Sequence, residues 1–205
     1  MTDARGGRRG PYAKSRLARE RILAAAAEVF SRSGLRSGWL REVAILAQMS
    51  EAGVLYHYPS KEVLLMALLE CRDAWEASRL EELRFHPRAL LQHATNVTAE
   101  ATATGQTVAS LYLDLAPQAA APDHPAHDHF HGRRVRIHGA VTEAFQGLAR
   151  EDQLRTTVDP PLLASQLLAL LDGIQLQWRF SPGTVDVRRT IESFIELHVK
   201  PADAG

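Results

Sequence analysis

Cysteine is almost missing from these 205 residues: Cys71 stands alone, which excludes an intramolecular disulfide and a cluster of thiolate ligands and fits a reducing cytoplasm. Long apolar runs are missing too. No stretch approaches the roughly 18 uninterrupted apolar residues that a membrane span needs, and the N-terminal arginines have no apolar segment behind them before Pro11. Neither a span nor a secretory signal is therefore expected, and no membrane partner. Nothing alternates apolar with polar as a half-buried strand does, and no repeat is visible. The chain also has no phosphate-cradling glycine loop, no Ser-His-Asp spacing and no Cys-His pair, so no catalytic residues, cofactor or enzymatic activity are expected. What is present is a chain of helical periodicity, 45% hydrophobic, enough to bury a core.

Net charge is lacking as a total but not as a pattern. Residues 1–61 carry eleven Lys or Arg against five acids, a surplus of six, and the remaining 144 residues carry the compensating deficit. A basic front and an acidic rear suggest a segment that meets polyanions joined to one that does not. Residues 1–11, with Gly6, Gly7, Gly10 and Pro11 among arginines, cannot build a core and read as a flexible basic arm. From Lys14 the positions Leu17, Ile22, Ala25, Ala26, Val29 and Phe30 recur at helical spacing to about Ser33, where Gly34 offers a left-handed stop.

Two short helical patterns follow, at about Trp39–Ala47 and Ser50–His57, with Gln48 and Met49 in the turn between them and Pro59 closing the second. That is the geometry of a helix-turn-helix, in which the first helix packs across the second and the second presents its N-terminal residues to base edges of DNA. Val43, Ala44, Ala47, Val54 and Leu55 form the packed apolar set. Ser50 is placed to cap the second helix, whose free amides favour a phosphate. Arg41, Glu51, Ala52, Gly53, Tyr56, His57 and Lys61 are the outward groups able to reach DNA. Glu51 could accept from a cytosine amino group, or stand as a solvated carboxylate at a helix N-terminus.

Residues Arg41-Glu42-Val43-Ala44, Ser50 and Tyr56-His57-Tyr58-Pro59-Ser60-Lys61-Glu62 resemble the DNA-binding domain of the TetR family of transcriptional regulators, over roughly Lys14–Leu69. The resemblance implies an all-α homodimer of about nine helices per subunit. Residues 12–62 would be the three-helix DNA-binding domain, and 63–205 a helical domain for effector binding and dimerisation. It implies that Tyr58 wedges the second motif helix in the core and that Lys61 meets a phosphate. Trp39 stands where the family commonly has a capping Thr or Ser that touches DNA. Gln48 stands where it commonly has Gly, and in a left-handed conformation costs about 1 kcal/mol relative to Gly.

Beyond the motif, Ser60 caps a long helix carrying Val63, Leu64, Ala67, Leu68, Cys71, Trp75, Leu80 and Leu83, and further helices follow at about 88–103, 106–116, 130–150, 160–180 and 184–199. Leu163, Leu167, Leu170, Leu171, Ile174 and Trp178 make one helix apolar on several sides. With Val187, Ile191, Phe194 and Ile195 they would supply half of a four-helix dimer interface, as the resemblance suggests. Asp172, Gln175 and Gln177 interrupt that helix. Trp75, His93, Asn96, Tyr112 and Phe130 are conceivable pocket residues, but no effector contact is assigned.

His124, His127, His129 and His131 crowd one segment between Ala119 and His129 and the helix start beyond it, with Asp128 as its cap. A surface histidine segment with no metal is expected there, because strong sites draw ligands from well-spaced rigid elements. The leading expectation is a sequence-specific DNA-binding transcriptional regulator, a repressor released by an unknown small-molecule effector, acting as a homodimer on a palindromic double-stranded operator. A metal-binding helical sensor or enzyme built on His124–His131 is one alternative. A helical protein-interaction module whose motif no longer reads DNA is another.

Overall fold

The computed structural model describes residues 11–33, 38–103 and 108–202. Most of the basic arm, Gly34 and Ser37 lie outside them. Nine helices occur among the described residues: α1 (Pro11–Ser33), α2 (Trp39–Ala47), α3 (Glu51–His57), α4 (Lys61–Leu83), α5 (Pro87–Ala103), α6 (Val108–Leu115), α7 (His127–Arg150), α8 (Pro160–Phe180) and α9 (Val187–His198). The only β feature among them is an isolated bridge between Leu154 and Val199. No described helix is long and apolar enough to cross a membrane. The chain divides into two compact units, one ending at Glu70 and one beginning at Cys71.

In the N-terminal unit the apolar spacing of α1 buries Ile22, Ala25, Ala26, Val29 and Phe30, and α2 buries Val43, Ala44 and Ala47. The buried alanines at 25, 26, 44 and 47 keep side chains short on two helices that pack against each other. Val54 of α3 and Tyr58 just beyond it are buried as well, which makes Tyr58 a core residue. Leu55 departs from the expected packed set. It is 37% exposed, because in a helix of seven residues only the stripe through Val54 faces inward.

In the C-terminal unit α5, α7, α8 and α9 enclose one core centred on Leu90, Leu91, Phe145, Leu148, Leu163, Leu167, Ile174 and Ile191. Pro160 and Pro161 open α8, where a missing N–H removes no intrahelical bond. The Ser181-Pro182-Gly183 break is turned by Gly183 at φ 81°, and Asp186 caps α9 by accepting from the Arg189 amide at 2.9 Å. Helix α7 begins at His127, three residues earlier than expected. Asp128 therefore lies inside its first turn, where a negative charge suits the helix dipole, and Ala126 occupies the cap position without a side-chain bond.

This core takes up part of the expected dimer surface. Leu163, Leu167 and Ile191 are wholly buried within their own chain, and Ile174 and Leu171 nearly so, which leaves these side chains little area for a second copy. Trp178, Phe194 and Ile195 are half-buried against the same core, and Leu170 is half-buried. The outward apolar stripe of α8 runs instead through Leu162, Ala169, Leu176 and Phe180, all exposed and at helical spacing, and α9 adds Leu197 at 68% exposure.

Candidate nucleic-acid interface

Two short helices with a tight turn between them need firm ends, because neither is long enough to be stable by propensity. Gly38 starts α2 at φ 91° without any side-chain cap. Trp39, at the first position, is half-buried with its ring 6.1 Å from that of Phe30 in α1. Part of the indole is thus engaged in packing within the unit. At the other end Gln48 adopts the left-handed conformation (φ 55°, ψ 49°). Its amide donates to the Ile45 carbonyl at 3.1 Å and that of Met49 to the Ala44 carbonyl at 2.9 Å. This is the double bond pattern that glycine usually supports at a helix C-terminus.

Ser50 follows in an extended conformation and caps α3, its Oγ accepting from the Gly53 amide at 3.0 Å. Gly53 fits closely against that cap. A Cβ there would stand 3.2 Å from Ser50 Oγ and 3.4 Å from Met49 Cε. Beyond the cap, α3 presents Glu51 and Ala52 to solvent and leaves Tyr56 84% exposed, its ring edge-on to His57 at 5.2 Å. Arg41 is exposed on α2, and no acid pairs with it among the described residues. Glu42 beside it is held by Arg32 of α1 at 2.9 Å. Lys61 opens α4, where Ser60 Oγ accepts from the Val63 amide at 3.3 Å. A hydrogen bond from the Ser60 side chain, then one from its own amide, hold the Glu62 carboxyl below its ordinary value.

The C-terminal unit holds a polar cluster that sequence reading missed. Asp73 of α4 is 6% exposed, and its Oδ1 accepts from the Tyr112 hydroxyl of α6 and from Arg133 Nε of α7 at 3.0 Å. Its Oδ2 lies 3.2 Å from His129 Nε2 and 3.5 Å from Arg136 Nη2. The Arg133 guanidinium also stacks on the Tyr112 ring, 4.2 Å from its centroid. Burial, then the bond to Asp73, push the Tyr112 hydroxyl well above its ordinary value. One turn on, Glu76 meets His93 Nε2 at 3.0 Å. Burial raises the Glu76 carboxyl, but the bond from His93 and the charges of His93, Arg72 and Arg133 outweigh it and leave it below its ordinary value.

Of the four crowded histidines only His127 and His131 come together, their rings stacked at 6.0 Å. His124 Nδ1 accepts from the Ala126 amide at 3.2 Å, His127 Nδ1 is tied to the Ala119 carbonyl at 3.0 Å, and His129 turns to Asp73. Among the described residues no three metal-ligating side chains come together. Asp172 pairs with Arg134 at 2.6 Å and Gln175 bonds back to the Leu171 carbonyl at 2.8 Å, so both find partners within the chain. Asn96 accepts from Gln92 and Arg188. Beside the Asp73 cluster, Ala77, Leu80 and Arg84 of α4 face Val135, Arg136, Gly139 and Glu143 of α7 across an open cleft of about 410 Å³.

Comparison with known proteins adds two family matches. Residues 22–68 match the model described as bacterial regulatory proteins, tetR family, and residues 87–200 match that described as BetI-type transcriptional repressor, C-terminal. The HTH-type transcriptional regulator RutR of Escherichia coli (strain K12) is 42% identical over 57 residues, a match that spans 27% of this chain and 27% of RutR. Among solved structures, a TetR transcription regulator from Haloarcula marismortui superposes with a TM-score of 0.72 at 19% identity, covering 89% of this chain and 98% of the other. SmeT, the repressor of a Stenotrophomonas maltophilia multidrug efflux pump, superposes with a TM-score of 0.65 at 19% identity, covering 90% and 91%. A Saccharomonospora viridis chain described as a transcriptional regulator and solved with choline gives a TM-score of 0.75 at 23% identity, covering 90% and 98%.

Proposed function

The chain belongs to the TetR family of transcriptional regulators, and from that premise we propose that it is a homodimeric, cytoplasmic repressor that binds a palindromic DNA operator and is released by a small molecule. The observation that carries this reading is the Ser50-capped α3, which offers Glu51, Ala52 and Tyr56 outward beside an exposed Arg41. A duplex supplies phosphates as counter-charge to Arg41 and base-edge donors and acceptors to the exposed side chains of α3. Glu51, Ala52, Tyr56 and Arg41 then face base edges, while Ser50, His57 and Lys61 meet phosphates. Two copies are needed because one such helix grips too little DNA.

The exposed stripe of Leu162, Leu176 and Phe180 on α8, with Leu197 on α9, supports pairing with a second copy. The cleft between α4 and α7 is of the size that small ligands use and supports an effector role for the C-terminal unit. Binding of a labelled duplex pool measured across a salt series, with sedimentation of the free protein, tests this reading. Expected are a dimer, converted to monomer by Phe180→Asp, and a log affinity that falls linearly with log salt. A monomeric wild type that binds DNA independently of salt would overturn it.

A further inference from the structure

Gln48 holds a left-handed conformation that disfavours every residue except glycine, at the one place that sets the direction in which the chain enters α3. Something must hold it there. Arg21 of α1 reaches across 26 residues of sequence, and its Nη2 donates to the Ala47 carbonyl and, at 3.4 Å, to the Gln48 carbonyl. These carbonyls follow those of Ala44 and Ile45, which the Met49 and Gln48 amides occupy. The two N–H groups of Nη2 let this one nitrogen serve two neighbouring carbonyls, and the guanidinium charge suits the negative end of α2. Arg21 is well anchored for the task, since the next residue, Ile22, is wholly buried.

The same helix grips the other end of α2. Arg32, eleven residues or about three turns further along α1, pairs with Glu42 in the first turn of α2 at 2.9 Å. A nine-residue helix is thereby held at both ends by arginines of one longer helix. Only the Arg21 end adjoins the turn that leads to Ser50 and its cap on Gly53.

We infer that Arg21 is a positioning residue for DNA recognition: it stands in for glycine at the turn by clamping the carbonyls of Ala47 and Gln48, and so fixes the direction of α3. It acts through the turn and touches no DNA. The inference rests on the DNA-binding reading for its functional consequence, but the clamp itself can be measured without DNA.

The test combines Arg21→Met, Arg21→Lys and Gln48→Gly in the full chain, with two measurements. The first is amide exchange at Met49 and Gly53 in the free protein. Arg21→Met speeds exchange at both, Arg21→Lys does so less, and adding Gln48→Gly to Arg21→Met restores protection, because glycine holds the left-handed turn unaided. The second is affinity for the duplex that the wild type enriches from a random pool. Arg21→Met weakens it about tenfold with an unchanged salt slope, and Gln48→Gly recovers most of the loss.

Unchanged exchange in Arg21→Met, or failure of Gln48→Gly to restore it, would overturn the clamp. A salt slope lowered by about one would instead make Arg21 a direct phosphate contact and overturn its positioning role. A wild type that enriches no duplex would sink the DNA-binding reading and leave the exchange experiment to decide the clamp. If Arg21→Met fails to fold, Arg21→Lys alone decides through exchange at Met49, which must rise for the inference to stand.

Discussion

Tyr56 stands 84% exposed at the N-terminal unit's surface with Arg41 and Glu51, whereas Asp73 of the C-terminal unit, 6% exposed, lies among Tyr112, His129, Arg133 and Arg136. The first unit keeps an apolar core inside and sets its polar groups on the surface of short capped helices, where a large charged partner can complete them. The second brings its own counter-charges inward, so its polar groups serve the packing of α4, α6 and α7 before they serve any ligand. Polar chemistry on a surface can be altered at little structural cost, while the same chemistry in an interior cannot.

The contrast sharpens most where the core is largest. Phe145→Ala, at a wholly buried site in the C-terminal unit, should lower stability by about 4 kcal/mol in a denaturant titration, and a loss within experimental error would mean that the core is not packed as described. Asp73→Ala should cost about 3 kcal/mol, because it leaves Arg133 and His129 facing a vacancy where a buried charge stood.

The pH dependence follows from the same cluster. Tyr112 ionises less readily in the folded chain, so its contribution to stability is complete below its unfolded value of about 10 and is lost as pH rises beyond it. Glu76 shifts the other way, so its contribution is present above its unfolded value of about 4.3 and is lost as pH falls through the folded one. Tyr112→Phe should flatten the alkaline limb of the stability curve and Glu76→Gln the acid limb. Limbs identical to the wild type's would break the claim that these groups are coupled to folding.

On the exposed side the expectations invert. Lys61→Ala should cost about 1 kcal/mol of DNA affinity across all sequences and reduce the salt slope by about one, with thermal stability little changed. The smallest effect belongs to the exposed pair of Arg32 and Glu42, where Arg32→Gln should change stability by less than about 1 kcal/mol.

The same contrast explains what could be read in advance. Helix spans follow from local spacing and from breakers such as Pro59 and Ser181-Pro182-Gly183, and they emerge within a few residues of where the periodicity places them. The Ser50 cap is equally local, whereas the buried Tyr58 and the left-handed Gln48 were implied by the family resemblance. Partners are not local. Trp39 turns onto Phe30 because α1 lies there, which nothing within residues 39–47 reveals. On α8 the apolar residues surround the helix so widely that periodicity cannot separate the stripe facing its own core from the one facing outward, and Leu163 and Leu167 fell on the wrong side. Asp73 and Glu76 look like ordinary acids on a long helix until α5, α6 and α7 bring His93, Tyr112 and Arg133 to them.

The measurement that tests the central claim most directly is selection of bound duplexes from a random-sequence pool at moderate salt, followed by sequencing. A repressor that reads DNA through α3 as a dimer should enrich a palindrome whose half-sites lie about one helical turn, or a multiple of it, apart. A pool that stays unenriched, while the protein remains folded and retains its helical content, would contradict it.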